Sequence, residues 1–539
     1  MKKKYVVKKK LFINKKLFLL AASLLLLVSA CKKKDTVQLK ESITQTVVNT
    51  FPGPTYPDNY TPISSWADRS QWNLANVHDP TVQKCGDYYM YGTDASYGNV
   101  LDGHGHFPYR RSKDLVNWEF MGTVFTDAPA WVKDSLNNKR ARMNPALPPI
   151  QSPNYGFWAP CVRKVGNIYR LYYCIVVTNC IVGSDANVSW SERAFIGMAE
   201  SNDLASNVWT DKGMVVCSEP DGVESYVRNG GGDWNAYYKF NAIDPSFIIT
   251  PQGEHWLIYG SWHSGIAALK LNPTTGKPDK LDNINDYGVR IAGRGDVSTY
   301  RWQALEAPEI IYNDATGYYY LFMAYDELSV AYNTRVARSK SITGPYIGID
   351  GANVTNGAEC WPMLTHPYGF NGHTGWVGIS HCAIFQNPDT KEWFYSSQAR
   401  LPVGVPGINV SNAVMMGQVR SIQWTADGWP VVMPERYAAV PKTTITEQSL
   451  VGTWEQIIMQ YQYQTIQKSS SVTLSANNKV SGSVTGTWSY DSTKGILTIN
   501  DNKYNVTDAW DWEASPRKVT LTYAGHTSAG LPVWAKKML

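Results

Sequence analysis

Gly86-Asp-Tyr-Tyr-Met-Tyr-Gly-Thr93 reads as a turn followed by a strand in which almost every side chain is aromatic or apolar, and the chain carries the pattern four more times. The further copies are Gly166-Asn-Ile-Tyr-Arg-Leu-Tyr-Tyr-Cys174, Gly253-Glu-His-Trp-Leu-Ile-Tyr-Gly260, Thr316-Gly-Tyr-Tyr-Tyr-Leu-Phe-Met323 and Thr390-Lys-Glu-Trp-Phe-Tyr-Ser396. Such self-similarity marks a repeat architecture, in which each unit buries its apolar surface against its neighbours. Upstream of each copy lies a short apolar strand with a recurring lead-in: His78-Asp79-Pro80, Trp158-Ala159-Pro160, Ile243-Asp244-Pro245, Glu306-Ala307-Pro308 and Ser380-His381-Cys382. A third strand follows each copy. Several units add a fourth strand closed by a tryptophan, as in Arg111 to Trp118, Glu200 to Trp209 and Gln423 to Trp429. Repeated four-stranded units predict an all-β fold, a five-bladed β-propeller over residues 66–440, with the lead-ins lining the central channel. A β-sandwich array would leave the recurring polar lead-ins unexplained.

Composition agrees with short strands and glycine-rich turns: the 539 residues include 33 Tyr, 21 Trp, 14 Phe and 42 Gly. The formal charge is +5, but residues 1–30 hold eight Lys and no acid, so without them the charge falls to −3. With no basic run beyond Lys32 to Lys34, nucleic acid is excluded as a partner. The Lys-rich start, the apolar run from Leu17 to Val28 and the small residues before Cys31 read as an export signal spanning 1–30, too short for a bilayer span. Val28-Ser29-Ala30-Cys31 resembles a bacterial lipobox, which implies cleavage before Cys31 and lipidation of its sulfur. The expected protein is a monomeric lipoprotein in the outer membrane of a Gram-negative bacterium, facing either the periplasm or the medium. Seven further cysteines, at 85, 161, 174, 180, 217, 360 and 382, contain no Cys-x-x-Cys pair, so buried thiols are expected.

Residues 31–65, rich in Thr, Ser, Pro and charge, read as a flexible tether. Beyond Leu450 the lead-ins vanish and compact alternating strands such as Ser471 to Leu474 and Gly486 to Tyr490 take over, which predicts a separate small β-barrel or sandwich-like domain over 450–539.

Glycoside hydrolysis needs one carboxylic acid to protonate the leaving oxygen and one carboxylate to activate water or attack carbon. Asp79, Asp244 and Glu306 stand at lead-ins of the first, third and fourth units, and only ring closure would bring them together. An Asp before Pro is usually turn chemistry, but three recurring in successive repeats are not explained that way. Each precedes a proline directly or within two residues, which biases the local backbone to extended geometry.

His78-Asp79-Pro80, Ile243-Asp244-Pro245 and Leu305-Glu306-Ala307-Pro308, with Trp158-Ala159-Pro160 between them, resemble the ordered motifs of glycoside hydrolase family 43. The resemblance implies that Asp79 is the general base, Glu306 the general acid, and Asp244 the residue that raises and orients the acid, with inversion at the anomeric carbon. Tyr259 to Ile266 and Gln423 to Val432 with Pro434 to Tyr437 resemble stretches of endo-acting arabinanases, which implies α-1,5-linked arabinan as substrate. The alternatives are an exo-acting arabinofuranosidase or β-xylosidase, and, in another class, a lipoprotein that only binds glycan.

The same resemblance places His381 beside a channel ion, calcium, held mainly through ordered water because calcium prefers oxygen ligands. Here the lead-in reads Ile379-Ser380-His381 where the family has Pro-Gly-His. Trp158 suits an aromatic platform for a sugar face. Ser264 lies in the arabinanase-like stretch, and His104 and His106 in Asp102-Gly-His-Gly-His106 would shape the groove rim.

Overall fold

Twenty strands of the propeller fall into five four-stranded antiparallel sheets, each built from strands consecutive in the chain. The computed structural model describes residues 51–93, 104–142, 146, 148–177, 193–219, 238–262, 265–295, 304–328, 330–405 and 415–538. The first strands of the blades are Thr81–Cys85, Tyr155–Val165, Ser246–Ile249, Leu305–Asn313 and Ala383–Gln386. Each touches the first strand of the next blade, and the fifth touches the first, so the ring closes around a channel lined by these strands. Closure is helped by a short bridge in which Ala75, ahead of blade one, pairs with Met416 of blade five.

The aromatic repeat is the second strand of every blade, and its unbroken apolar character has a simple cause. Side chains alternate between two faces, and in a propeller both faces are covered by neighbours. In blade one, Tyr88 and Met90 join the cluster shared with blade five, whereas Tyr89 and Tyr91 join the cluster shared with blade two. In blade four, Tyr319, Leu321 and Met323 face blade three, and Tyr320 and Phe322 face blade five. The tryptophans expected to close fourth strands sit earlier: Trp118 lies in the turn before its fourth strand, Glu119–Phe125, with its indole N–H donating to the Leu115 carbonyl at 3.1 Å. One α-helix, Ala130–Ala141, interrupts the strands between blades one and two and buries Val132 and Leu136.

Residues 452–537 form a closed eight-stranded barrel filled by Trp454, Val472, Leu474, Trp488, Leu497, Tyr504 and Tyr523. Ile457, Met459 and Trp534 on its outside complete the apolar cluster between blades four and five. A buried charge cluster joins the two parts. The Lys536 ammonium lies 2.6 Å from Glu435 and 2.7 Å from both Asp511 and Glu513, in the place a cation would take among three carboxylates. Burial and the neighbouring Glu513 push the Glu435 carboxyl well above its usual range.

The stretch expected to be a tether ends differently. Tyr56 packs on the Trp512 ring at 4.9 Å, and Asp58 pairs with Arg436 at 2.5 Å and Arg517 at 3.1 Å. Its aromatic and acidic residues match a partly apolar, basic surface that no local pattern announces. Cys31 and the export segment lie outside the described residues. No helix among the described residues is long and apolar enough to cross a membrane.

Candidate active site

Every blade approaches the channel through a residue in the left-handed region: Asp79 (φ 46°), Ala159 (36°), Asp244 (53°), Ala307 (52°) and His381 (52°). The extended backbone expected before proline is therefore absent at Asp79, Ala159, Asp244 and Ala307. Left-handed geometry costs a non-glycine residue roughly 1–2 kcal/mol, with Asp and His tolerating it better than Ala. The tertiary structure imposes it five times, which fits strain held at a working site. In blades two and four the strand pairing also slips just after this point, between Trp158 and Cys161 and between Glu306 and Glu309. Asp79, Asp244 and His381 are structural equivalents. Glu306 stands one place earlier in its blade, where blade two has Trp158, so the three carboxylates are not at strictly matching positions.

Ring closure gathers these groups at one mouth of the channel. The Asp79 carboxylate accepts from His381 Nδ1 at 2.8 Å and from the Thr93 hydroxyl at 2.5 Å, while its backbone N–H donates to Gln398 Oε1 at 2.6 Å. Burial favours its neutral form, but the charge and hydrogen bond of His381, with His78 and Thr93, outweigh burial and hold Asp79 well below the usual carboxylate range. Glu306 accepts from Tyr332 OH at 2.6 Å on one oxygen and from Trp262 Nε1 at 2.7 Å and Ser261 Oγ at 3.2 Å on the other. Burial, helped by the negative charge of Asp79, raises its pKa in spite of these donors. Asp244 accepts from the Ala307 N–H at 3.1 Å and so grips the backbone that carries Glu306. Burial first, then the charges of Glu306 and Asp79, push Asp244 up to about 7. His381, despite burial, is raised to about 9 by Asp79, Asp244 and Glu306.

The result is one carboxylate held ionised by an imidazolium and a second pair that holds a proton near neutrality. One layer further along the first strands, Glu309 accepts from Arg163, from Ser246 Oγ at 2.6 Å and from the Ile384 N–H at 3.1 Å, while Arg163 also donates to Thr81 Oγ1 at 2.9 Å. That set draws on all five blades and ties the ring beneath the channel mouth.

The remaining expected residues are placed as follows. Trp158 is half-buried, packs against the cluster between blades two and three, and folds back over Gly156, where a Cβ would meet its Nε1 at 2.6 Å. His106 stacks on Phe157 with ring centres 3.4 Å apart at the margin of blades one and two, and His104 packs on Trp66 at 4.3 Å. Ser264 lies outside the described residues. At His381, both oxygens of Asp79 and both of Glu306 already accept from protein donors, which leaves them only further lone pairs, so the set fits a hydrated ion better than a fully dehydrated one. Thr93, Gln398, Ser261, Trp262 and Tyr332 were not singled out by sequence. Ser261 and Trp262 lie inside the quoted stretch from Tyr259 to Ile266, but nothing local marks Tyr332 or Gln398.

A closed propeller with an ionised carboxylate facing a proton-bearing pair at one mouth has the equipment of a glycoside hydrolase. Comparison with known proteins gives the family: residues 74–430 match glycosyl hydrolases family 43 and residues 434–535 match its C-terminal lipocalin-like domain, so the chain belongs to family 43 and is a glycosidase. It is 26% identical to the extracellular endo-α-(1→5)-L-arabinanase 2 of Bacillus subtilis, over 88% of this chain and 96% of that one. The crystal structure of endo-1,5-α-L-arabinanase from Thermotoga petrophila is similar at a TM-score of 0.66 and 25% identity, covering 87% of this chain and 99% of that one. The extracellular exo-α-(1→5)-L-arabinofuranosidase of Cellvibrio japonicus is 24% identical over 66% of this chain and 86% of its own length.

Proposed function

We propose that the protein hydrolyses internal α-1,5 linkages of L-arabinan with inversion of configuration. Glu306 gives its proton to the glycosidic oxygen as the bond to the anomeric carbon breaks. Asp79 takes a proton from water as the water oxygen bonds to that carbon from the opposite face, and one water is consumed per bond. Asp244 acts as a positioning residue, holding the backbone beside the acid and keeping a proton on the pair. His381 and Thr93 keep the base ionised and aimed. A calcium ion held through water at His381 would add positive charge beside the carboxylates. The lipobox-like Cys31 supports anchoring of the enzyme to a membrane.

The observation that carries the reading is the opposite electrostatic bias of Asp79 and Glu306 at one channel mouth. Similarity to endo-acting relatives over nearly the whole chain supports the internal-bond reading, and the exo-acting relative keeps terminal cleavage as the alternative. Incubation with linear and branched arabinan, xylan and p-nitrophenyl glycosides, followed by sizing of products, tests it. Mixed oligosaccharides from linear arabinan are expected. Arabinose alone would replace the endo reading with the exo one, and no cleavage of any arabinan would overturn the substrate assignment.

A further inference from the structure

Between its first strand, Gly452–Ile458, and the strand Ser470–Leu474, the barrel sends out an excursion toward blade four. Tyr461 lies under the Arg335 guanidinium, 4.7 Å from ring centre, and meets His366 edge-on at 6.2 Å. Farther along, Gln467–Lys468 pairs in parallel with Tyr368–Gly369 in the link between blades four and five. At the tip, where Gln464 takes a left-handed φ of 54°, the Tyr463 hydroxyl donates to Glu327 Oε1 at 2.6 Å and Gln464 Nε2 donates to the same oxygen at 3.3 Å.

Glu327 belongs to the connection between the second and third strands of blade four, at the end where Leu305 pairs with Tyr325 and Glu306 with Ala324. That is the catalytic end. The same connection carries Tyr332, whose hydroxyl holds Glu306, and Leu328, which packs with Ala307, Ala324 and Tyr332. The barrel excursion therefore reaches the margin of the catalytic mouth, next in sequence to Leu328, which packs against Tyr332. Tyr463 is 53% exposed there. Its hydroxyl is pinned, so the ring is held in place instead of sweeping through solvent, and a fixed, exposed aromatic ring beside a polysaccharide-cleaving mouth is suited to pack against the C–H face of a sugar.

We propose that Tyr463 is a remote subsite of the same reaction: the barrel supplies a platform for a pentose unit of the polymer lying outside the bond being cut. This rests on the arabinan reading above. The platform engages only substrates long enough to reach it, so the barrel sets preference for polymer over short oligosaccharide.

The experiment compares wild type, Tyr463→Ala and Tyr463→Phe on linear arabinan and on arabinotriose, with polymer binding measured by affinity electrophoresis in a Glu306→Gln background. Tyr463→Ala is expected to raise KM for the polymer by roughly three- to ten-fold, the loss of one aromatic packing contact, and to be retarded less by the polymer in the gel to match. Its kinetics on arabinotriose should stay at wild-type values, and Tyr463→Phe, which keeps the ring but loses its tie to Glu327, should fall between wild type and Tyr463→Ala in polymer affinity. Unchanged polymer kinetics in Tyr463→Ala would overturn the proposal, as would an equal loss on both substrates, which would mean that Tyr463 acts through Glu327 on the acid. A wild-type protein inactive on arabinan sinks the substrate assignment instead, so the two failures are distinguishable.

Discussion

Replacing Tyr332 with Phe removes a single oxygen from the site, the hydroxyl that donates to Glu306 at 2.6 Å, and leaves the ring packed against Ala307 and Ala324. A hydrogen bond to an ionised group contributes about 1.5–3 kcal/mol. The neutral acid keeps part of that interaction, so the difference between protonation states is about 1 kcal/mol, which at 1.36 kcal/mol per pKa unit is a shift of roughly 0.7 unit. The donor favours the charged carboxylate, so losing it raises the pKa of Glu306 further. The proposed mechanism needs Asp79 ionised and Glu306 protonated. The alkaline limb of kcat/KM is then set by loss of the proton held between Glu306 and Asp244, the latter pushed up to about 7. Tyr332→Phe should move that limb upward by about 0.5–1 unit and leave the acid limb, governed by Asp79, in place. The assay is the pH dependence of kcat/KM on linear arabinan with circular dichroism to confirm folding. An alkaline limb that stays put or moves downward would show that Tyr332 does not govern the proton on the acid.

Other perturbations have equally definite outcomes. Lys536→Met leaves Glu435, Asp511 and Glu513 facing one another without their ammonium, and breaking a buried ion cluster on one side costs about 3–5 kcal/mol; thermal unfolding should fall well below wild type, and an unchanged Tm would contradict the account of the barrel junction. Glu309→Gln removes the charge that Arg163 pairs with beneath the mouth. It should lower Tm while preserving the pH profile; a displaced alkaline limb would mean that Glu309 belongs to the proton-holding set. Asp79→Asn and Glu306→Gln should each reduce turnover on arabinan by at least about 10²-fold with Tm near wild type, and a fully active Glu306→Gln enzyme would refute the assignment of the acid.

Much of the architecture was legible because propeller strands are covered on both faces. Tyr88 to Tyr91 and Tyr318 to Tyr325 had to be apolar at consecutive positions, and that signal survives without any partner being known. The carboxylates were legible only as a set: one Asp before Pro is ordinary turn chemistry, but acids recurring at the lead-ins of three blades are not explained that way. What escaped was set by contacts between distant segments. The left-handed backbone at Asp79 and Asp244 overrides the local preference that proline imposes, because the channel wall and its cross-blade hydrogen bonds decide the geometry. Gln398 reaches the site from a second strand and Tyr332 from a connection between strands, neither with a motif of its own. The packed end of the N-terminal stretch depends on Arg436 and Arg517, which lie hundreds of residues away. Lys536 sits in an ordinary alternating strand that carries no sign of three carboxylates around it.

Stereochemistry tests the central claim most directly, since a base that activates water and a base that attacks carbon give opposite first products. Proton NMR during the first minutes of hydrolysis of an α-linked arabino-oligosaccharide should show the β-anomer of the new reducing end appearing before mutarotation. An initial α-anomer would mean a covalent intermediate, and Asp79 could not then be acting on water across from Glu306.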